Sequence, residues 1–224
     1  RLPALHAGTL GSVLTKLAAF PRKLADIRDE YCSIIMFDEN GAQRDGSITR
    51  RPSTAPGFCK SPKEWVVSGP HFFVANPFYK TPRNNCNTPR AYDNVDLQGL
   101  PEDYLPRTNY RPMVDEEEYL RRKPKVTWTE EGGHKRPVTD FFRHAHRRAL
   151  SMSGERSAIG MLLPPGVAHI DGVFSIAFRD VAKLISYSAA VSSLPVDFLV
   201  KTTGKADMRS DLSDRLPLLK SRAP

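Results

Sequence analysis

AIGMLLPPGVAHIDGVFSIAFRD, residues 158–180, decides the fold class. Its first six residues, Ala158 to Leu163, are strand-like and stop at Pro164-Pro165-Gly166, which cannot continue a β-ladder. Val167 to Phe178 alternates well enough for a second strand, interrupted at Asp171-Gly172. Asp180 then opens an apolar helix, DVAKLISYSAAVSSL. Pro195 suits the first turn of another, PVDFLVK, because its ring presets the helical φ where its missing N–H is not needed. Strands followed by helices predict a mixed α/β (α+β) fold. Nineteen prolines in 224 residues argue for short elements joined by long irregular loops, and against a helical bundle.

Upstream, VTDFFRHAHRRAL at 138–150 reads as a basic helix with Thr139 as its cap, and DEEEYLRR as a short acidic helix capped by Asp115. The Pro- and Asn-rich stretch from Tyr79 to Arg111 reads as a surface loop. Trp65 to Val67 and Phe72 to Val74 form two strand-like runs broken at Gly69-Pro70, expected to pack against the elements after residue 155. Residues 42–61 read as a loop or linker, and Tyr31 to Phe37 as a buried strand ended by DENG. Residues 12–30 have helical apolar spacing that Pro21 should split. The helix at 180–200 should be largely buried, Thr202 to Lys205 a polar loop, and Asp207 to Leu216 a last short helix.

Lys plus Arg is 33 and Asp plus Glu 25, a net charge of +8 that favours an anionic partner. Arginine supplies 21 of those cations. Its planar fork meets phosphate oxygens or a guanine edge with two hydrogen bonds, so the composition leans toward nucleic acid. No apolar run approaches the roughly 20 residues of a membrane-spanning helix. Three cysteines, Cys32, Cys59 and Cys86, are too few and too spread for a disulfide framework and fit a reducing cytoplasm. Arg1 stands where an initiator Met is expected and no leader pattern precedes Gly8, the expectation for a fragment.

NPFY at Asn76 to Tyr79 is the sharpest chemical motif. Amino-methylating DNA methyltransferases use [DNS]-P-P-[YFW], in which an amide or acid oxygen accepts from the exocyclic amine and the ring stacks on a flipped base. Asn76 and Tyr79 are therefore the candidate catalytic residues. Phe78 replaces the second Pro, however, and no Gly-rich cofactor loop lies upstream, so a strand end with an Asn-Pro turn is preferred and no catalytic residue is assigned. On a helix, His144 and His146 would point about 200° apart, so no metal site is assigned either. Arg143, His144, His146, Arg147 and Arg148 read instead as a basic helix face for phosphates.

Four phrases carry a resemblance: SGPHFFVANPFYKTPR (68–83), LPRTNYRP (105–112), ERSAIGMLLPPGVAHI (155–170) and VDFLVKTTG (196–204) followed by RLPLL (215–219). In this order they resemble the C-terminal target recognition part of adenine-specific DNA methyltransferases of type II restriction-modification systems, including fused methylase-nuclease forms. The resemblance covers roughly residues 31–219. It implies that residues 1–60 connect to an upstream methylase core and that residues 61–224 form a DNA target recognition domain. This fragment would then be non-catalytic and would hold no cofactor of its own; S-adenosylmethionine would belong to the full-length enzyme. The implied partners are double-stranded DNA and the methyltransferase core, in a prokaryotic cytoplasm. Such a domain needs phosphate anchors and a few side chains that reach base edges. Lys80, Arg83, Arg107, Asn109 and Arg111, Arg143 and Arg147, and Lys201, Thr202, Thr203 and Lys205 are the candidate DNA-binding residues. The rival reading is a self-contained nuclease or other nucleic-acid-processing enzyme. Its Mg²⁺ would need paired carboxylates with a lysine, for which Asp197, Asp207 or Glu64 with Lys63 are the nearest approach.

Overall fold

In the computed structural model, which describes residues 8–50, 57–88 and 90–219, every side chain of β10 (Val173–Phe178) is buried. An apolar run without polar alternation is what a strand covered on both faces requires. The elements preceding it are α1 (Gly8–Ala18), β1 (Tyr31–Ile34), α2 (Glu39–Arg44), β2 (Ile48–Arg50), β3 (Val66–Val67), β4 (Lys80–Pro82), β5 (Tyr92–Asn94), β6 (Tyr110–Pro112), α3 (Glu116–Arg122), β7 (Arg143–Arg147), β8 (Gly160–Leu163) and β9 (Ala168–His169). After β10 come α4 (Val181–Ser192), α5 (Leu194–Thr202) and α6 (Ser210–Ser213). The fold is mixed α/β. Its main sheet has the order β1-β10-β7-β8, all antiparallel.

The strands expected at 31–37, 158–163 and 167–178 are present, the last divided into β9 and β10 around Asp171-Gly172. Asp180 caps α4 by accepting from Ala182 N at 2.8 Å, and Asp115 caps α3 by accepting from Glu118 N at 2.9 Å. Pro195 lies in the first turn of α5. Pro21 falls between α1 and a 3-10 helix at Leu24–Glu30, so the helical spacing of 12–30 is indeed split. One face of α4 is buried through Leu184, Tyr187, Ala190 and Val191, while Val181 and Ile185 face solvent.

The basic helix expected at 138–150 is a strand. Val138–Asp140 makes one 3-10 turn, and the chain then runs extended as β7 between β10 and β8. In that setting Arg143, Ala145 and Arg147 share one face, and His144 and His146 the other. The histidines meet α4: His144 Nδ1 lies 2.9 Å from Ser188 Oγ and His146 Nε2 3.0 Å from the Tyr187 hydroxyl. On the opposite face Ala145 joins Trp65, Val67, Phe72, Met161 and Leu163. A polar stripe does not betray a strand whose histidines each meet a hydroxyl of a neighbouring helix, which is why the helical reading failed.

β3 pairs in parallel with β9, and so docks the Trp65 segment onto the elements after residue 155. Phe72 to Val74 is no strand: a 3-10 turn at Gly69–His71 leads into a tight turn between Phe73 and Asn76, with Ala75 at φ 59. Residues 42–61 are not wholly loop, since α2 ends there and β2 pairs with β6. Within 79–111, β4 and β5 form a hairpin, and Cys86, Thr108, Asn109 and Tyr110 are buried. The last helix is shorter than expected. Because β1 belongs to the main sheet, a boundary at residue 60 runs through one sheet rather than between two. Among the described residues no helix is long and apolar enough to cross a membrane, and the three cysteines are free and buried.

Candidate functional site

Seven segments line an open cleft of about 690 Å³. They are the ends of α2 and β2, the Ser68–Pro70 turn, the β4–β5 hairpin, the start of β6, and the rim made by Arg147–Ala149 and Ile170–Gly172. The sheet sets the rim, because Arg148 N donates to Gly172 O at 3.0 Å and closes the β7–β10 ladder there.

Four cations line this cleft: Arg50, Lys80, Arg147 and Arg148. Two carboxylates, Glu39 and Asp171, oppose them, so the lining carries 4 − 2 = +2. The half-buried Arg147 is held by carbonyls rather than by an acid: its Nε donates to Gly69 O and its Nη2 to Phe72 O, both at 2.6 Å. Its charge is therefore oriented but not neutralised. Arg148 pairs with Asp171 at 3.0 Å, and Arg50 pairs with Glu39 at 3.4 Å while donating to Cys86 O at 3.2 Å. Lys80 Nζ lies 5.0 Å from the centroid of the Tyr79 ring. Asn109, 3% exposed, donates through Nδ2 to Cys86 O at 3.0 Å, and Asn87 adds a second carboxamide to the lining.

No family model matches the chain, and no curated protein matches it.

Ser68 Oγ lies 3.1 Å from His71 Nδ1 and His71 Nε2 3.1 Å from Arg107 O, which superficially suggests an activated serine. The Ser68 backbone N–H also points at His71 Nδ1, at 3.1 Å, making this the capping box of a 3-10 turn. Burial holds the His71 pKa down to about 4, too weak a base to activate a hydroxyl near neutral pH. Among the described residues no three His, Cys, Asp or Glu side chains gather where a metal could be held.

Of the residues singled out from sequence, Lys80, Asn109, Arg147 and Arg148 come together in this cleft. Arg83 instead pairs with Asp93 across the hairpin at 2.7 Å. Arg107 stacks over Phe58, 5.0 Å from its centroid, and donates to Asn84 Oδ1, while Arg111 donates to Phe58 O. Arg143 does not reach the surface at all: it is 0% exposed, which corrects its assignment to a phosphate-binding face. The loop after α5 is also less open than expected. Thr202 and Thr203 turn their hydroxyls back onto Leu199 O and Val200 O, Lys201 Nζ donates to Gly154 O, and Lys205 pairs with Asp211. Gly204, at φ 66, does make the tight turn. Asn76 Oδ1 accepts from Phe78 N at 2.9 Å and so serves its own turn, and the Tyr79 ring packs 5.2 Å from that of Phe73. Sequence reasoning passed over Arg50, Asn87, Glu39 and Asp171, because none sits in a local pattern that points to the others.

Proposed function

We propose that the chain is the DNA target recognition portion of a site-specific DNA adenine-N6 methyltransferase of a restriction-modification system, and that the cleft faces the duplex. The observation that supports this reading is the net +2 lining, which includes Arg147, held by carbonyls and paired with no carboxylate among the described residues. Guanidinium and ammonium groups gathered in one concavity suit phosphate oxygens. The Asn87 and Asn109 carboxamides add polar atoms to the lining, although the amide nitrogens of both already donate within the chain, Asn109 to Cys86 O and Asn87 to Asn85 Oδ1. Methyl transfer belongs, in this reading, to a catalytic core outside these residues. S-adenosylmethionine would supply the methyl group there; the net positive cleft of this chain does not suit its sulfonium cation.

The test is fluorescence anisotropy of the chain with labelled duplex DNA over a range of salt concentrations. Log affinity should fall linearly with log salt. Lys80→Glu combined with Arg50→Gln should weaken binding and flatten that line, by about 0.9 in slope for each phosphate no longer neutralised. Affinity and slope equal to those of the unsubstituted chain would remove the cleft from the DNA face.

A further inference from the structure

β7 carries a second arginine on the face it shares with Arg147, and solvent does not reach it. Arg143 is 0% exposed, and Lys123, just beyond α3, is 3% exposed. Lys123 Nζ stands 4.3 Å from the centroid of the Tyr119 ring, which is itself buried. Arg143 donates through Nη2 to the Val167 carbonyl. Its Nε and Nη1, and the Tyr119 hydroxyl, have no hydrogen-bond partner among the described residues.

The nearest carboxylates are committed elsewhere: Glu116 pairs with Lys63 and Asp140 with Arg136. Burial, reinforced by the Arg143 charge, lowers the Lys123 pKa to about 8. Arg143 and the Tyr119 hydroxyl thus have donors to spare in a buried setting, with the Lys123 ammonium against the Tyr119 ring. Isolated buried charge is among the costliest arrangements in a protein, and buried charges are found paired.

We infer that Arg143, Lys123 and Tyr119 form an internal binding site for a small monovalent anion of the halide class. Guanidinium and ammonium groups only donate, so the occupant must accept from every side. A water molecule could accept from two of these donors but would leave both charges unmatched. A phosphate would bring four oxygens among side chains that are all buried, whereas a halide accepts several hydrogen bonds in little space. Bound there, the anion ties α3 to β7 and, through the Val167 carbonyl, to the segment entering β9. Lys123 and Tyr119 do not line the cleft, so this inference stands apart from the DNA reading.

The experiment compares thermal unfolding of the chain in sodium bromide, sodium chloride and sodium gluconate at equal ionic strength, with bromide located by anomalous diffraction from crystals. A halide at ten times its dissociation constant should lower the unfolding equilibrium constant about tenfold relative to gluconate. Lys123→Met should abolish that difference. The bromide peak should lie between the Arg143 guanidinium, Lys123 Nζ and the Tyr119 hydroxyl. Equal stability in bromide and gluconate overturns the inference. Bromide found only at surface arginines, an adventitious ion only, overturns it too, even if Lys123→Met fails to fold.

Discussion

Asp197 shows how far one side chain's role depends on residues distant in sequence. As a carboxylate it qualified for a metal-dependent nuclease, yet it is 4% exposed and occupied structurally. Its Oδ1 accepts from Ser157 N at 2.9 Å and Ala158 N at 2.6 Å, and its Oδ2 lies 3.4 Å from Arg156 Nε. The first turn of α5 is thereby fastened to the segment leading into β8. Asp197→Ala strands two backbone N–H groups and should cost about 2–4 kcal/mol in urea unfolding. Asp197→Asn keeps an acceptor oxygen and should cost less. An alanine variant within about 0.5 kcal/mol of the unsubstituted chain would show that these contacts carry no stability. A carboxylate one turn into a helix is legible from sequence as a partner for the helix dipole. Its two amide partners, 39 and 40 residues away, are not.

β7 has a consequence at the level of the element, because it buries titratable groups that a surface helix would have exposed. Burial lowers the pKa of His144 to about 3 and pushes that of His146 well below its usual value. His169, beside β10, is lowered to about 3 and His71 to about 4, also by burial. Unfolded histidines titrate near pH 6.5. Above that pH both states are neutral and this contribution to stability is complete. Below it the unfolded chain binds protons that the folded chain refuses, so stability falls with pH until the folded pKa values are reached. Each histidine costs up to about 1.4 kcal/mol per pH unit. Four together, over one and a half units, would remove roughly 8 kcal/mol, comparable with a whole domain's stability. Fluorescence of the buried Trp65 and Trp128 should therefore report cooperative unfolding between about pH 6 and pH 5. Unchanged stability from pH 7 to pH 5 would contradict the burial of these rings.

At the scale of the whole molecule, the net charge of +8 is distributed by pairing rather than by position along the chain. Lys201 and Lys205 resembled a DNA-facing loop, but each already has a protein acceptor. Asp207, which follows them, sits 3.9 Å from Arg148 at the edge of the cleft. On the proposed DNA-recognition reading, Lys201→Glu with Lys205→Glu should thus weaken binding to duplex DNA, and flatten its salt dependence, less than Lys80→Glu with Arg50→Gln does. Parallel anisotropy titrations decide the ranking. If the Lys201 and Lys205 pair proved the more damaging, the principal DNA surface would lie at the end of α5.

Sequence alone was sufficient where the signal is local. The strands at 31–37 and 158–178, the caps at Asp115 and Asp180, the helix start at Pro195 and the break at Pro21 depend on turn residues, capping oxygens and apolar runs within a few positions of each other. Tertiary structure alone decided that FRHAHR is a strand, because only the open ladders of β10 and β8, and the hydroxyls of Tyr187 and Ser188, make its extended form cheaper than a helix. It also decided which cations meet: Arg50, Lys80 and the adjacent Arg147 and Arg148 come from three segments far apart in sequence, while Arg143, four residues before Arg147, is sealed inside. A charge's effect is set by its distance to other charges and to water, and both are properties of the packed chain rather than of its order.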